Sequence, residues 1–220
     1  MVIVAGPPGS GKTTRFPLAE FGVDSFNADY RAAQLNAGSF RGISKEIRSQ
    51  VNVEFQKWIL DHISARKSFA LETTLRSEVT FEQAQLAREH GFWTSMFYVT
   101  PGSVEECIKR IKARAYRGGH SASENVVRDI FQKSLHHLVT ALDFGDGGIN
   151  RVEIYDNSAN LADEKNVRRI MSMRQGRVTS LAGDVPSWLE HLVKGTKFEI
   201  PALREFLQLR ANRRSHDFGR

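Results

Sequence analysis

Gly6-Pro7-Pro8-Gly9-Ser10-Gly11-Lys12-Thr13 matches the spacing G-x-x-x-x-G-K-[ST] without a gap. Glycines at those positions let backbone N–H groups converge on phosphate oxygens where a helix begins. The lysine adds a positive charge toward the β- and γ-phosphates, and the threonine hydroxyl is placed for Mg²⁺. Gly6, Gly9, Ser10, Gly11, Lys12, Thr13 and Thr14 are therefore the expected ATP-contacting residues, with Thr13 as the metal ligand. The loop follows the apolar run Val2–Ala5 and precedes a helical stretch over Lys12–Glu20, the strand-turn-helix setting this chemistry needs. Pro17 should kink that helix or delay its start. Phe16 and Leu18 to Ala19 are expected to face inward.

A phosphate loop alone does not separate a kinase from a GTPase or a motor. Asn27-Ala28-Asp29-Tyr30-Arg31 puts a carboxylate just past a second short strand, Asp24–Asn27, at the edge where open α/β sheets bind ligands. Asp29 could accept a proton from a substrate hydroxyl, or it could cap the helix that starts at Tyr30. A third strand runs into Leu71-Glu72-Thr73-Thr74-Leu75-Arg76 and brings a carboxylate, two hydroxyls and a cation to the same edge. Glu72 could order Mg²⁺ or accept hydrogen bonds from substrate hydroxyls, and Thr74 with Arg76 would suit a sugar or a phosphate. Arg110, Arg114 and Arg117 recur every three or four residues before Gly118-Gly119-His120, so they line one face at the end of a helix. They read either as a lid near 110–125 that brings a cation over the transferred phosphate, or as a solvated face.

The elements that must position these groups alternate. Further strands are expected over Phe69–Leu71, Phe92–Val99 and Val152–Tyr155, with amphipathic helices over Ser44–Arg66, Val79–His90, Ser103–Arg117 and Ser123–Asp143. That alternation predicts an α/β fold, a three-layer P-loop NTPase architecture on a mostly parallel sheet. The kinase core is expected over 1–170 and a small C-terminal extension over 171–220. The extension would hold a hairpin around Gln175-Gly176 and two short helices over Pro186–Val193 and Pro201–Arg214.

Composition limits the classes. Of 220 residues, 40% are hydrophobic and 25% charged, enough for a core and against a disordered chain. No apolar run approaches the ~20 residues of a membrane span, and Met1–Gly6 lacks the basic start of a signal peptide, so a soluble cytoplasmic protein is expected. The single cysteine, Cys107, has no partner for a disulfide, and no Cys/His cluster has zinc spacing. Lys and Arg total 31 against 25 Asp and Glu, a net charge of +6, with the excess at Lys109–Arg117, Arg168–Arg177 and a tail holding Arg210, Arg213, Arg214 and Arg220. Such a balance suits an anionic small ligand or a polyanion.

The phosphate loop, Asp29 with Arg31, Glu72 to Arg76, Arg114-Ala115-Tyr116-Arg117-Gly118-Gly119-His120 and Tyr155-Asp156-Asn157-Ser158 together resemble the zeta toxins and zeta-toxin-like P-loop kinases. Those enzymes phosphorylate a sugar hydroxyl of UDP-N-acetylglucosamine with ATP. The resemblance covers roughly Val2–Ser158. It implies Lys12 and Thr13 on phosphates and Mg²⁺, Asp29 as base, and Glu72 and Thr74 on the substrate sugar. It also implies the lid arginines, Arg110, Arg114 and Arg117, on the nucleotide and the transferred phosphate. Arg31 and Arg76 complete the expected substrate contacts, an antitoxin is a candidate partner, and neither a membrane nor a nucleic acid is expected. Relatives carrying Gly-Gly-His follow it with valine-proline and a helix of consecutive arginines. Ser121-Ala122-Ser123 and Arg128-Asp129-Ile130-Phe131 stand there instead, with one arginine kept. The expected activity is transfer of the γ-phosphate to a hydroxyl of a small nucleotide-sugar. A kinase for another metabolite or a nucleic-acid 5′-hydroxyl, and a nucleotide-dependent regulatory protein, are the alternatives.

Overall fold

Short apolar runs ending in polar residues become strands whose ends share one edge. The computed structural model describes residues 1–116, 122–143, 148–158 and 167–217, with side chains to 209. Strands β1 (Val2–Ala5), β2 (Asp24–Phe26), β3 (Phe69–Thr73), β4 (Ser95–Thr100), β5 (Arg151–Asp156), β6 (Arg168–Arg174) and β7 (Arg177–Leu181) form one sheet. Its order is β2-β3-β1-β4-β5-β6-β7. The first five strands pair in parallel, Ile3 standing opposite both Leu71 and Met96. Helices α1 (Lys12–Arg15), α2 (Ala28–Leu35), α3 (Lys45–Ser64), α4 (Val79–Glu89), α5 (Val104–Tyr116) and α6 (Glu124–Leu142) lie between them in sequence, as parallel crossovers demand. This is the P-loop NTPase architecture.

Side chains alternate across the sheet and decide its two faces. Ile3, Leu71, Met96, Tyr98, Val152 and Ile154 point to the larger core, where Ile59 and Ile63 of α3, Ala84 and Ala87 of α4 and Leu138 and Leu142 of α6 close over them. At roughly 25 cal/mol per Å² of apolar surface, each such fully buried side chain contributes about 1.5–3 kcal/mol. Tyr98 keeps its hydroxyl there by a 3.0 Å hydrogen bond with Ser134. The opposite face is thinner. Val4, Ala70 and Leu18 form a small cluster under Phe16 and Phe21.

Pro17 explains the thin layer. It has no N–H to donate, so α1 ends after one turn at Arg15, and a 3₁₀ turn over Leu18–Phe21 follows. Leu18 is buried as expected, whereas the short turn leaves Ala19 exposed. Ser44 caps α3 by accepting the Ile47 N–H at 3.3 Å.

Residue 170 falls inside β6, not at the end of the core. The two-residue turn Gln175-Gly176, with φ of 48° and 71°, folds β6 and β7 into an antiparallel hairpin whose first strand pairs with β5. Met171, Met173 and Val178 therefore join the main core, as do Leu189 and Val193 of α7 (Ser187–Val193) and Leu203 of α8 (Ile200–Asp217). Trp188 of α7 also lies against the turn before α5. A Cβ on Gly102 would stand 2.0 Å from its Cδ1, and the φ of 71° there is itself one that glycine adopts without strain. Gly102→Ala is expected to cost more than about 1 kcal/mol of stability, read as a lower urea midpoint at unchanged slope.

Candidate functional site

Because β1, β3, β4 and β5 run parallel, their carboxyl ends deliver the loops after Ala5, Thr73, Thr100 and Asp156 to one edge. The phosphate loop occupies its centre. Gly6 sits so close to β4 that a Cβ would meet the Val99 carbonyl oxygen at 2.1 Å, which leaves glycine alone able to start this loop. Gly11 closes it at φ 95° as the N-cap of α1, and no side chain caps the helix. The first amides of α1 therefore have no carbonyl behind them and are available to an anion.

Lys12 is buried, with its Nζ donating to the carbonyls of Gly6 at 2.7 Å and Pro7 at 3.0 Å. Burial lowers its pKa. The carboxylates of Glu72 and Asp29 push it back up, and the Arg114 guanidinium adds to the lowering. The charges of Asp29 and Arg114 thus both reach the ammonium, although one stands on α2 and the other on α5. Glu72 is nearest, with Oε1 3.9 Å from Nζ and Oε2 accepting the Thr13 hydroxyl at 2.8 Å. Lys12, Thr13 and Glu72 are thus in direct contact, and Asp29 and Arg114 act on Lys12 through their charge alone.

The remaining expected residues divide. Asn27, not Asp29, caps α2, since its side chain accepts the Tyr30 N–H at 3.0 Å. Asp29 is exposed and has no hydrogen-bond partner among the described residues. Arg31 is held by a two-pronged ion pair with Glu54 of α3, at 2.6 and 3.3 Å, and braces the helix that carries Asp29. Arg110 is likewise engaged, donating to Glu106 and, at 2.7 Å, to the Asn157 carbonyl. Thr74 is half-buried and Arg76 exposed, on either side of Leu75, which is buried at a φ of 54° that bulky residues rarely adopt. The Leu75 N–H donates to the Thr73 hydroxyl at 3.1 Å and holds that turn. Arg117 and the Gly118-Gly119-His120 stretch lie outside the described residues.

The resemblance included Asn157 within Tyr155-Asp156-Asn157-Ser158 but gave it no role of its own. Asn157, just past β5, donates its side-chain amide to the Ser10 carbonyl at 2.8 Å. A Cβ on Gly11 would meet that same amide at 2.4 Å, so Asn157 and the loop interlock. The Ser10 hydroxyl is buried and has no partner among the described residues, which fits a loop built to close around an oxyanion.

These features fit a nucleotide's phosphates. They also fit Mg²⁺, in a particular way. No cluster of three or more His, Cys, Asp or Glu among the described residues could cage a metal. The Thr13 hydroxyl would ligate the ion and Glu72 would order its shell, the remaining oxygen ligands coming from phosphate and water. Cys107 takes no part: burial pushes its thiol up to about 12, so it stays a neutral side chain behind Gly9.

Residues 1–136 match the AAA domain family AAA_33. An uncharacterized protein of Haemophilus influenzae is 30% identical over 131 residues, 58% of this chain and 89% of that one. Among solved structures, the AvrRxo1-ORF1:-ORF2 complex with ATP superposes with a TM-score of 0.62 at 17% identity over 82% of this chain. The alignment spans 60% of the AvrRxo1 chain. The PezAT chromosomal toxin-antitoxin system of Streptococcus pneumoniae gives a TM-score of 0.56 at 14% identity, over 93% of this chain and 86% of that one. At those identities the likeness is one of fold. Among the described residues, no helix is long and apolar enough to cross a membrane.

If Asn157 holds the loop in its binding shape, Asn157→Ala should weaken ATP binding about tenfold. That is the roughly 1.4 kcal/mol scale of one well-made hydrogen bond. Calorimetric titration with ATP measures it, alongside a circular dichroism spectrum that should not change.

Proposed function

Since the chain belongs to the AAA domain family and keeps an intact phosphate loop, we propose that it is an ATP- and Mg²⁺-dependent kinase acting on a hydroxyl of a small nucleotide-sugar. The observation that carries this reading is a pair of carboxylates at the edge of the phosphate loop in two different settings. Glu72 is engaged by the Thr13 hydroxyl, while Asp29, on the helix that follows β2, is exposed and without a partner among the described residues. Two acids in two environments take two roles. A regulatory nucleotide switch would have no use for the second.

In the reaction, Asp29 takes the proton of the acceptor hydroxyl as that oxygen bonds to the γ-phosphorus and the bond to the β-phosphate bridging oxygen breaks. Lys12 neutralises charge on the β- and γ-phosphate oxygens, and Arg114 adds a second cation from α5. Arg117 is the other lid candidate. Thr13 and Glu72 would hold Mg²⁺, which supplies charge neutralisation across the phosphates. Arg31 and Arg110 serve by bracing, the first through Glu54 and the second through Asn157. Thr74 and Arg76 are the remaining acceptor contacts. ATP as donor draws support from the AvrRxo1 complex with ATP, and a protein antitoxin as partner from the PezAT system. UDP-N-acetylglucosamine as acceptor rests on the zeta-toxin resemblance.

Asp29→Asn should leave ATP affinity nearly unchanged and lower transfer by roughly 10²-fold or more. Arg114→Ala should likewise cut transfer far more than ground-state binding, because its charge matters most in the transition state. Lys12→Ala should abolish turnover in a folded protein. Purified protein, labelled ATP and a panel of UDP-sugars, free sugars, nucleosides and 5′-hydroxyl oligonucleotides test the acceptor. Label on the UDP-sugars is the expected result. Label confined to nucleosides or oligonucleotides overturns that acceptor, and ATP hydrolysis with no labelled acceptor overturns the kinase.

A further inference from the structure

The thin face of the sheet carries a row of like charges at the end away from the phosphate loop. Strand registers place Ser95, Arg151, Arg174 and Arg177 directly opposite one another across β4, β5, β6 and β7. In the next row, Phe97, Glu153, Ser172 and Ser180 are aligned in the same way. Beyond a bulge, Arg169 stands opposite Tyr155. Like charges placed directly opposite on neighbouring strands destabilise a sheet, so three arginines in register are a cost that folding does not explain.

One buried carboxylate serves the cluster. Glu153 pairs with Arg151 at 2.5 Å and Arg169 at 3.3 Å and accepts the Tyr155 hydroxyl. Arg174 lies over the Trp93 ring, 4.9 Å from its centroid, and neither it nor Arg177 has a carboxylate partner among the described residues. Four arginines and Glu153 leave three positive charges in excess. The neighbouring side chains are hydroxyls. Ser180 is exposed, the exposed Thr179 donates its hydroxyl to the Ser172 carbonyl at 3.1 Å, and the Ser172 hydroxyl is buried with no partner among the described residues.

We propose that this face binds the backbone of a single-stranded nucleic acid, a function separate from phosphoryl transfer. Guanidinium forks and hydroxyls are the donors that phosphodiester oxygens take. Trp93, 42% exposed at the end of the row, offers the aromatic surface on which a base can stack. An acidic protein would need an apolar centre to bury, and the row offers only Trp93 and the half-buried Phe97, which Arg151 already covers 5.9 Å from its centroid. A lipid surface is flat, whereas sheet twist turns each successive strand by roughly 20–25°, so the arginines follow a path suited to a flexible strand. Adjacent strands stand about 4.8 Å apart, so the Cα atoms of Arg151, Arg174 and Arg177 follow one another within reach of a single extended chain.

Fluorescence anisotropy with labelled 20-nucleotide single-stranded RNA and DNA tests this, beside a polyglutamate peptide and phosphatidylserine vesicles. Affinity for the oligonucleotides should fall with salt at a log–log slope of about −2, as three phosphate contacts on a single strand require. Arg174→Glu with Arg177→Glu should lower that affinity at least tenfold and flatten the slope, while ATP-dependent turnover stays at the native level. Arg177→Gln, at an exposed position beside the hairpin turn, gives a milder variant with the same expected direction and little risk to folding. No oligonucleotide binding at low salt, binding that both variants leave intact, or binding confined to the peptide or the vesicles would each overturn the proposal.

Discussion

A buried ammonium at the edge of a parallel sheet is the constraint around which this molecule is arranged. Lys12 is 6% exposed, and burying a cation is tolerable only when acceptors surround it. The Gly6 and Pro7 carbonyls supply two, and Glu72 supplies charge. To turn those carbonyls inward the loop must wrap tightly against β4 and α5, so tightly that a Cβ at Gly6 would collide with Val99 and one at Gly9 would stand 2.5 Å from the Cys107 carbonyl. The loop is then held from a third side by Asn157, itself fixed through its carbonyl by Arg110 and through its N–H by the carbonyl of Thr100. Four elements far apart in sequence converge on one turn.

The acceptor side is braced differently. α2 and α3 are joined by the Arg31–Glu54 pair, with Gln50 donating to the same carboxylate at 3.0 Å. These are partly exposed groups, so their value is in fixing geometry more than in stability. The consequence is that Asp29 projects from a helix whose cap and flank are both satisfied, and its own carboxylate is left for a ligand. An engaged carboxylate on β3 and an unengaged one on α2 are what the proposed division between metal ordering and proton transfer requires.

The C-terminal hairpin and helices complete the same sheet and core. Their packing places Trp188 against the turn that begins α5, and a Cβ has no room at Gly102 between them. The helix that carries Arg110 and Arg114 is therefore seated partly by residues about eighty positions later. The hairpin also sets Arg174 and Arg177 beside Arg151, and so gives the sheet a charged end opposite to the nucleotide end.

The phosphate loop was legible in the sequence because its chemistry is local: the spacing of Gly6, Gly11, Lys12 and Thr13 is the geometry. The parallel sheet was legible too, because alternating strand and helix patterns leave few topologies, and Pro17 announced the break after α1. What pairs with what was not. Arg31 read as a substrate contact and Arg110 as a nucleotide contact, since sequence shows a charge but not the carboxylate or carbonyl that a neighbouring element brings to it. Glu72 read as facing either metal or sugar, and its contact with the Thr13 hydroxyl appears only once β1 and β3 are paired. The hairpin read as an appendage because Ile170–Leu181 alternates weakly, and its apolar residues make sense only against β5. What Asn157 holds, and which arginines of the basic Arg168–Arg177 segment stand beside Arg151, was not legible for the same physical reason: each depends on groups brought together across strands, and cross-strand register is decided by tertiary packing.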